Sequence, residues 1–339
     1  MPETFTPVYR IDKPLNNNKD VDKRIGILPN TNFEIDLKDI NSLVTHNTAI
    51  LGILGIGKSC LTFEILKKIT KETDCKIICV DLTGQYEKEL PLYLDSDNLT
   101  IDISIDSKNK LNETKKQVGD KNIVESWGNV KQYKKELTKN IGEFQKDEKK
   151  RVLILNPDKH NVTKAATSFN IGELTELTPA QKTRAIAEIV FIQAQEQWKH
   201  LETKEQDQNI AKILLIFEEA HALIPEWNSI AEDGDKNAVN GTAKIILQGR
   251  KYGLGSLVVT QRTANVSKSI LNQCNTIFAL RVFDDTGKDF LSNYLGTDYA
   301  NALTSLEERT AVVFGKALKL KQPVIINLND RDDIRNNNP

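Results

Sequence analysis

Long apolar runs are missing. No stretch of the 339 residues approaches the roughly 20 consecutive apolar residues that a bilayer-spanning helix needs. Met1 to Asn30 also lacks the basic-then-apolar order of a secretory leader, so the expectation is a cytoplasmic protein with no membrane partner. Cysteine is scarce, and the four thiols, Cys60, Cys75, Cys79 and Cys274, lack the spacing of a zinc knuckle. In a cytosolic chain they read as buried free thiols. Charge imbalance is absent as well: 46 Lys and Arg stand against 47 Asp and Glu, a formal net charge of -1. The molecule as a whole therefore exerts no pull toward nucleic acid or a membrane surface, and any contact with a polyanion must be concentrated on particular segments. What is present, 39% hydrophobic and 27% charged residues, describes an ordinary globular chain with room for one large α/β domain and embellishments.

The most informative stretch is Asn47 to Ser59. Thr48-Ala49-Ile50-Leu51 is an apolar run with the length of a buried strand, and it feeds Gly52-Ile53-Leu54-Gly55-Ile56-Gly57-Lys58-Ser59. That is G-x-x-x-x-G-K-S, the phosphate-binding loop, followed by the helical stretch Cys60 to Ile69. Glycines at these positions let backbone N–H groups turn inward around phosphates, and the helix adds its positive N-terminal end. Gly52, Gly55, Ile56, Gly57, Lys58, Ser59 and Cys60 are thus the expected nucleotide-binding residues. Lys58 is placed to reach the β- and γ-phosphates, and Ser59 to hold Mg²⁺ beside ATP.

A second strand, Lys76 to Asp81, ends in the turn Thr83-Gly84-Gln85-Tyr86. Ligands of open α/β sheets bind at such carboxyl ends, so Asp81 is either near the nucleotide or an ordinary strand-end residue. Lys212-Ile213-Leu214-Leu215-Ile216-Phe217 is a further buried strand, ending in Glu218-Glu219-Ala220-His221. Paired carboxylates there suit a phosphoryl-transfer site: Glu218 on the metal side with Ser59, and Glu219 as the base that orients the attacking water. His221 either relays the nucleotide state or caps the strand. Ser256 to Arg262 is a further strand whose polar end would place Gln261 where it senses the γ-phosphate through water.

The remaining chain divides less sharply. Residues 1–46 read as a short N-terminal arm or reduced β region, with weak alternation at Arg24 to Leu28 and Phe33 to Leu37. Residues 47–330 form the core, interrupted at about 95–150 by a Lys-rich helical insertion, and 331–339 read as a polar tail. From Lys108 to Arg151 there are 13 Lys or Arg and 7 Asp or Glu, a net 13 − 7 = +6. This is either a solvated helical surface or one that faces nucleic acid or a partner. Trp127, Tyr133 and Phe144 are expected to form a small core of that insertion. Thr178-Pro179 begins a long helix, with Thr178 as N-cap. Ala231 to Gly241 reads as an acidic, Gly-containing loop, followed by a helix at Ala243 to Tyr252 that stops at Gly253. Phe283 to Leu303 reads as helical with an interruption near Gly296.

The succession GILGIGKS, VDLTGQY, LLIFEEAH, GRKYGLGSLVVTQR and SILNQCNTIFALRV, spread over Ile25 to Asn327, resembles the HerA-type ATPases of the HerA/FtsK group. That resemblance implies a RecA-like P-loop NTPase core, α/β with a central, mostly parallel sheet, assembled as a homo-hexamer. Nucleotide would sit at subunit interfaces and double-stranded DNA in the central channel. Members of the group work beside a nuclease or another effector, in DNA end processing or antiphage defence. The resemblance also singles out Arg250, in a Gly-Arg-Lys-Tyr-Gly turn, as a finger reaching the γ-phosphate of the neighbouring subunit. Arg262 and Arg281 compete for that part, and a helix-end cation satisfying the last carbonyls is the plainer account of Arg250.

The chain departs from the group in three places. Only about 46 residues precede the first core strand where an N-terminal β-barrel is usual. Ile56 and Leu54 replace small or polar residues in the loop, and Glu218 stands where many P-loop enzymes carry Asp. The expected function is a Mg-ATP-hydrolysing DNA translocase or helicase-like motor. The alternative is an ATP-gated scaffold that licenses an effector without processive movement, and a conjugation or packaging ATPase is a third reading.

Overall fold

The computed structural model describes residues 23–101, 117–118, 121–122, 129–165, 174–201, 211–226 and 234–336. Its strands are β1 (Arg24–Ile27), β2 (Glu34–Asp36), β3 (Thr48–Leu51), β4 (Lys76–Asp81), β5 (Leu99–Ile101), β6 (Gln117–Val118), β7 (Lys121–Asn122), β8 (Val152–Leu155), β9 (Thr163–Ala165), β10 (Leu174–Glu176), β11 (Ile213–Glu218), β12 (Leu254–Thr260), β13 (Thr276–Ala279), β14 (Thr310–Gly315) and β15 (Val324–Leu328). Eleven of them form one sheet in the order β2-β1-β15-β14-β13-β3-β12-β11-β4-β8-β5. From β13 to β5 every neighbouring pair is parallel, and from β13 to β2 every pair is antiparallel.

The reason for this layout is visible in the strands. β3, β4, β8 and β11 are short runs of apolar or β-branched residues buried almost throughout, as parallel strands covered on both faces must be. Successive side chains enter opposite layers. Ala49, Leu51, Ile78 and Val80 join one core with the helices Val130–Lys146, Pro179–Lys199 and Asp235–Gly249. Ile50, Ile77 and Cys79 join the other with Leu61, Phe63 and Leu66 of the helix Lys58–Glu72. Parallel strands point their carboxyl ends the same way, so the ends of β3, β4, β11 and β12 share one edge.

Several expectations change here. Of the expected N-terminal arm or reduced β region, the described residues from 23 onward carry β1 and β2, which extend the main sheet by pairing with β15 and each other. A helical insertion cannot begin at 95, because Leu99–Ile101 pairs with β8 inside the sheet. Tyr133 and Phe144 do not form a private core either. They lie with Leu137 and Ile141 on the buried face of Val130–Lys146, which packs into the main core; Trp127 and most of the Lys-rich stretch lie outside the described residues. The expected loop at Ala231 to Gly241 is largely helix from Asp235 onward. The polar tail contains a further helix, Arg331–Asn336, held by Lys67 Nζ donating to the Ile334 carbonyl at 2.8 Å. Thr178 caps Pro179–Lys199 by accepting from the Gln181 N–H, and Gly296 separates Asp285–Leu295 from Thr297–Ala302, both as read. The four cysteines are buried and free.

Candidate functional site

β3 delivers the chain into the phosphate loop, whose path depends on two left-handed glycines. Gly55 has φ of +77°, and Gly57, the N-cap of Lys58–Glu72, has φ of +103°. A side chain at either would be strained, which is the physical content of that part of the motif. Neighbouring strands fasten the loop: Gly52 N–H donates to the Thr260 carbonyl at 3.2 Å, and Ile53 N–H to the Arg281 carbonyl at 2.9 Å.

Lys58 is buried, and its Nζ donates to the Ile53 carbonyl at 2.7 Å, folded back over its own loop. Burial lowers its pKa, while Glu218 and Glu219 oppose that shift. Ser59 Oγ donates to Gln85 Oε1 at 3.0 Å, and Gln85 Nε2 donates to Glu89 Oε1 at 3.0 Å. Both loop side chains are thus satisfied by partners that a phosphate or cation can displace.

At the end of β11, Glu218 is 3% exposed. Burial raises its carboxyl to a pKa of about 8; the Tyr86 hydrogen bond and Lys58 pull the other way, and Asp81 and Glu219 add to the rise. Tyr86 OH donates to Glu218 Oε2 at 2.6 Å, which fixes that oxygen and leaves Oε1 for another partner. Glu219 follows with φ of +52°, a left-handed conformation that costs a non-glycine residue about 1–3 kcal/mol. The kink turns the carboxylate out of the strand direction. Its Oε2 lies 3.1 Å from His221 Nδ1, close but without hydrogen-bond alignment, and that ring nitrogen lies 3.4 Å from Thr260 Oγ1. His221 therefore sits between the second carboxylate and the end of β12.

One cavity of about 370 Å³ connects these groups; Gly55, Gly57, Lys58, Ser59, Glu218 and Glu219 all line it. Residues read from two motifs some 160 positions apart come together because β3 and β11 are separated in the sheet only by β12. Ser59 Oγ and the free Glu218 oxygen are hard oxygen donors facing one space, the ligand type that Mg²⁺ takes together with phosphate and water. Among the described residues there is no cluster of three or more His, Cys, Asp or Glu arranged as an all-protein metal cage.

Other expected residues stand apart. Asp81 is fully buried and spends both oxygens on its turn, accepting from Thr83 N–H and Oγ at 2.8 and 2.6 Å and from Tyr86 N–H at 2.9 Å. It shapes the Gln85-Tyr86 turn. Gln261 lies at the carboxyl end of β12 next to Thr260, on the same edge as the loop but outside the cavity lining. Arg281 Nε donates to the Leu306 carbonyl, which occupies it locally, and Arg262 is exposed. Arg250 is in the one-turn helix Arg250–Tyr252 that enters the amino end of β12, and its charge, with that of Lys316, helps lower the His46 pKa. Within one chain this is the edge opposite the phosphate loop.

The structure also adds groups that motif reading did not assign. Gln85 and Tyr86 were legible only as a turn, although a polar pair opening a short helix just past a strand end was the available signal. Glu89, Tyr93, Glu308, Arg309 and Arg331 line the same cavity without belonging to any motif.

The chain is similar to known proteins along most of its length. The family described as helicase HerA, central domain, matches residues 23–333. A probable helicase of Methanocaldococcus jannaschii is 23% identical over 98% of this chain and 72% of its own length. The DNA double-strand break repair helicase HerA of Sulfolobus acidocaldarius is 26% identical over 91% of this chain and 69% of its own length. The Pyrococcus furiosus protein of the same name is 32% identical over a shorter stretch, 36% of this chain and 21% of that protein. Among solved structures, VirB4 of Thermoanaerobacter pseudethanolicus superimposes with a TM-score of 0.51 at 12% identity, over 91% of this chain and 96% of that one. That likeness is one of fold, and it matches the RecA-like α/β architecture expected from the sequence.

Proposed function

The chain belongs to the helicase HerA family of P-loop ATPases, and we propose that it hydrolyses Mg-ATP to drive or gate movement on double-stranded DNA as a homo-hexameric ring. The observation that carries this reading is the meeting of Lys58 and Ser59 with Glu218 and Glu219 in one cavity at the carboxyl edge of the sheet. In this reading Lys58 leaves the Ile53 carbonyl for the β- and γ-phosphate oxygens, and Ser59 leaves Gln85. Mg²⁺ bound at Ser59 and Glu218 would neutralise phosphate charge. Glu218 would hold the cation as a carboxylate, kept oriented by Tyr86. Glu219, kinked out of β11, positions the attacking water, with His221 steadying it against the end of β12. Gln261 reports the γ-phosphate from the same edge, and Arg250 belongs to the site of the adjacent subunit.

The working partner of such a ring is a nuclease or another effector, in DNA processing or antiphage defence. The competing scaffold reading keeps nucleotide binding and discards DNA-driven turnover. ATP turnover with and without duplex DNA separates them: the motor predicts stimulation by DNA, steep loss of DNA binding with rising salt, and indifference to base sequence. Turnover unchanged by DNA, with complex size governed by ATP, would favour the scaffold. No turnover in either condition, and no nucleotide bound, would overturn both.

A further inference from the structure

The hydrolytic reading leaves part of the cavity wall without a task. Lys58 and the two carboxylates answer to the β- and γ-phosphates, so the α-phosphate and nucleoside need other partners. Tyr93, Glu89, Arg309 and Arg331 line the same cavity outside the phosphate-loop motif.

Arg309 is pressed onto the loop itself. Its N–H donates to the Ile56 carbonyl at 3.1 Å, and a methyl group at Gly57 would sit 3.1 Å from its Cγ. It is one of three non-glycine residues with positive φ among those described, at +58°; the others are Asn30 and Glu219. Asparagine tolerates that conformation readily, whereas the other two both border this cavity. The Arg309 Nη2 is buried and has no hydrogen-bond partner, which is an expensive state for a guanidinium and points to a missing acceptor.

Arg331 comes from the last helix and is fixed rather than free. Its Nε donates to Tyr93 OH at 3.3 Å, and its Nη2 lies 3.7 Å from Glu89 Oε2. Arg335 covers the other part of the Tyr93 ring at 5.2 Å, and buried Ile334 anchors the turn between them. The result is a guanidinium plane held at the cavity rim, half exposed, beside an acid that can accept a ribose hydroxyl. Planar guanidinium groups stack on nucleobases and bind phosphate oxygens.

We propose that Arg309 and Arg331 form the nucleoside end of the site, Arg309 toward the α-phosphate and Arg331 against the ribose and base. The last helix is then part of nucleotide recognition. This rests on the nucleotide reading of the phosphate loop, and the test keeps the two apart.

Binding of Mg-ADP and of Mg-pyrophosphate, which fills only the phosphate positions nearest Lys58, is measured on the full chain by calorimetry. Arg331→Ala and Arg309→Gly, the latter chosen because glycine suits the backbone at 309, should each weaken ADP about tenfold, the loss of one charge-assisted contact. Both should leave pyrophosphate within about twofold. Lys58→Ala should weaken both ligands. Unchanged ADP affinity in both arginine variants, or an equal loss of pyrophosphate, would overturn the proposal. If instead Lys58→Ala spares pyrophosphate, the phosphate-loop reading is what fails. Circular dichroism and melting curves identify a variant that has lost its fold, and Arg331→Lys then serves as the second variant: it keeps the charge but not the plane, and ADP affinity equal to wild type would contradict the stacking role.

Discussion

The two edges of the parallel sheet are built from the same strands and differ in almost every physical respect. At the carboxyl edge Lys58 and Glu218 are buried and held by protein partners, and Glu219 is strained: Lys58 is folded onto Ile53, Glu218 is held by Tyr86 with its pKa raised by burial, and Glu219 is left-handed. At the amino edge a wider groove of about 860 Å³ is lined by Lys38, His46, Lys316, Lys319 and Lys321, with Arg250 near His46. Its acids are engaged locally: Asp39 accepts from Ser42 in a helix cap, and Asp36 pairs with Lys319 at 3.1 Å. The paired carboxylates lie on one edge and the arginine that the family resemblance singles out for the γ-phosphate on the other. An arginine so placed serves a phosphate only when a second subunit brings the two edges together.

The largest effect that would break this contrast is Glu219→Gln. The account predicts ATP still bound and turnover lowered about 10³-fold, the scale of a lost general base. Wild-type turnover in that variant, read by phosphate release with nucleotide occupancy measured in parallel, would remove Glu219 from the chemistry. Next comes Tyr86→Phe, which deletes the hydrogen bond to Glu218 without changing volume much. A hydrogen bond to a charged group is worth about 1.5 kcal/mol, so the Mg²⁺ concentration needed for half-maximal turnover should rise about tenfold. An unchanged Mg²⁺ requirement would mean that Glu218 does not serve the cation.

The smallest effect concerns the other edge. Burial first, then Arg250 and Lys316, lowers the His46 pKa. The folded protein thus holds this imidazole neutral where the unfolded chain begins to protonate it. Its contribution to stability is present above the unfolded value near 6.5 and is lost as pH falls through the lower folded value. In Arg250→Ala the His46 resonance, followed by NMR titration, should move to higher pKa, and the fall in melting temperature on acidification should be shallower. No movement would place Arg250 away from His46 and weaken the contrast between the edges.

Much of the carboxyl edge was legible because its determinants are local. Thr48–Leu51, Lys76–Asp81 and Ile213–Glu218 are apolar runs that lead into the residues singled out as site candidates, and the glycine spacing of the loop states its own geometry. What escaped depends on contacts distant in sequence. Asp235–Gly249 starts in residues with loop composition, yet Ala238, Val239 and Thr242 are buried on the face that meets Pro179–Lys199, and that packing overrides weak propensity. Leu99–Ile101 is too short for any periodicity to show and is recruited by β8. Arg331–Asn336 carries one apolar residue, Ile334, and owes its order to Lys67 and Tyr93. Arg309 and Arg331 lie about 250 residues beyond the loop they border, a juxtaposition that only the folded sheet creates.

Subunit mixing tests the central claim most directly, that one edge supplies the phosphate loop and carboxylates and the opposite edge of a neighbour supplies the arginine. Arg250→Ala chains keep an intact Lys58, and Lys58→Ala chains keep an intact Arg250; each alone should be nearly inactive, since an arginine finger is worth about 10³-fold or more. In rings shown by native mass spectrometry to contain both chains, ATP turnover should recover at interfaces where an intact loop meets an intact arginine. Mixed rings no more active than their parents would contradict the account.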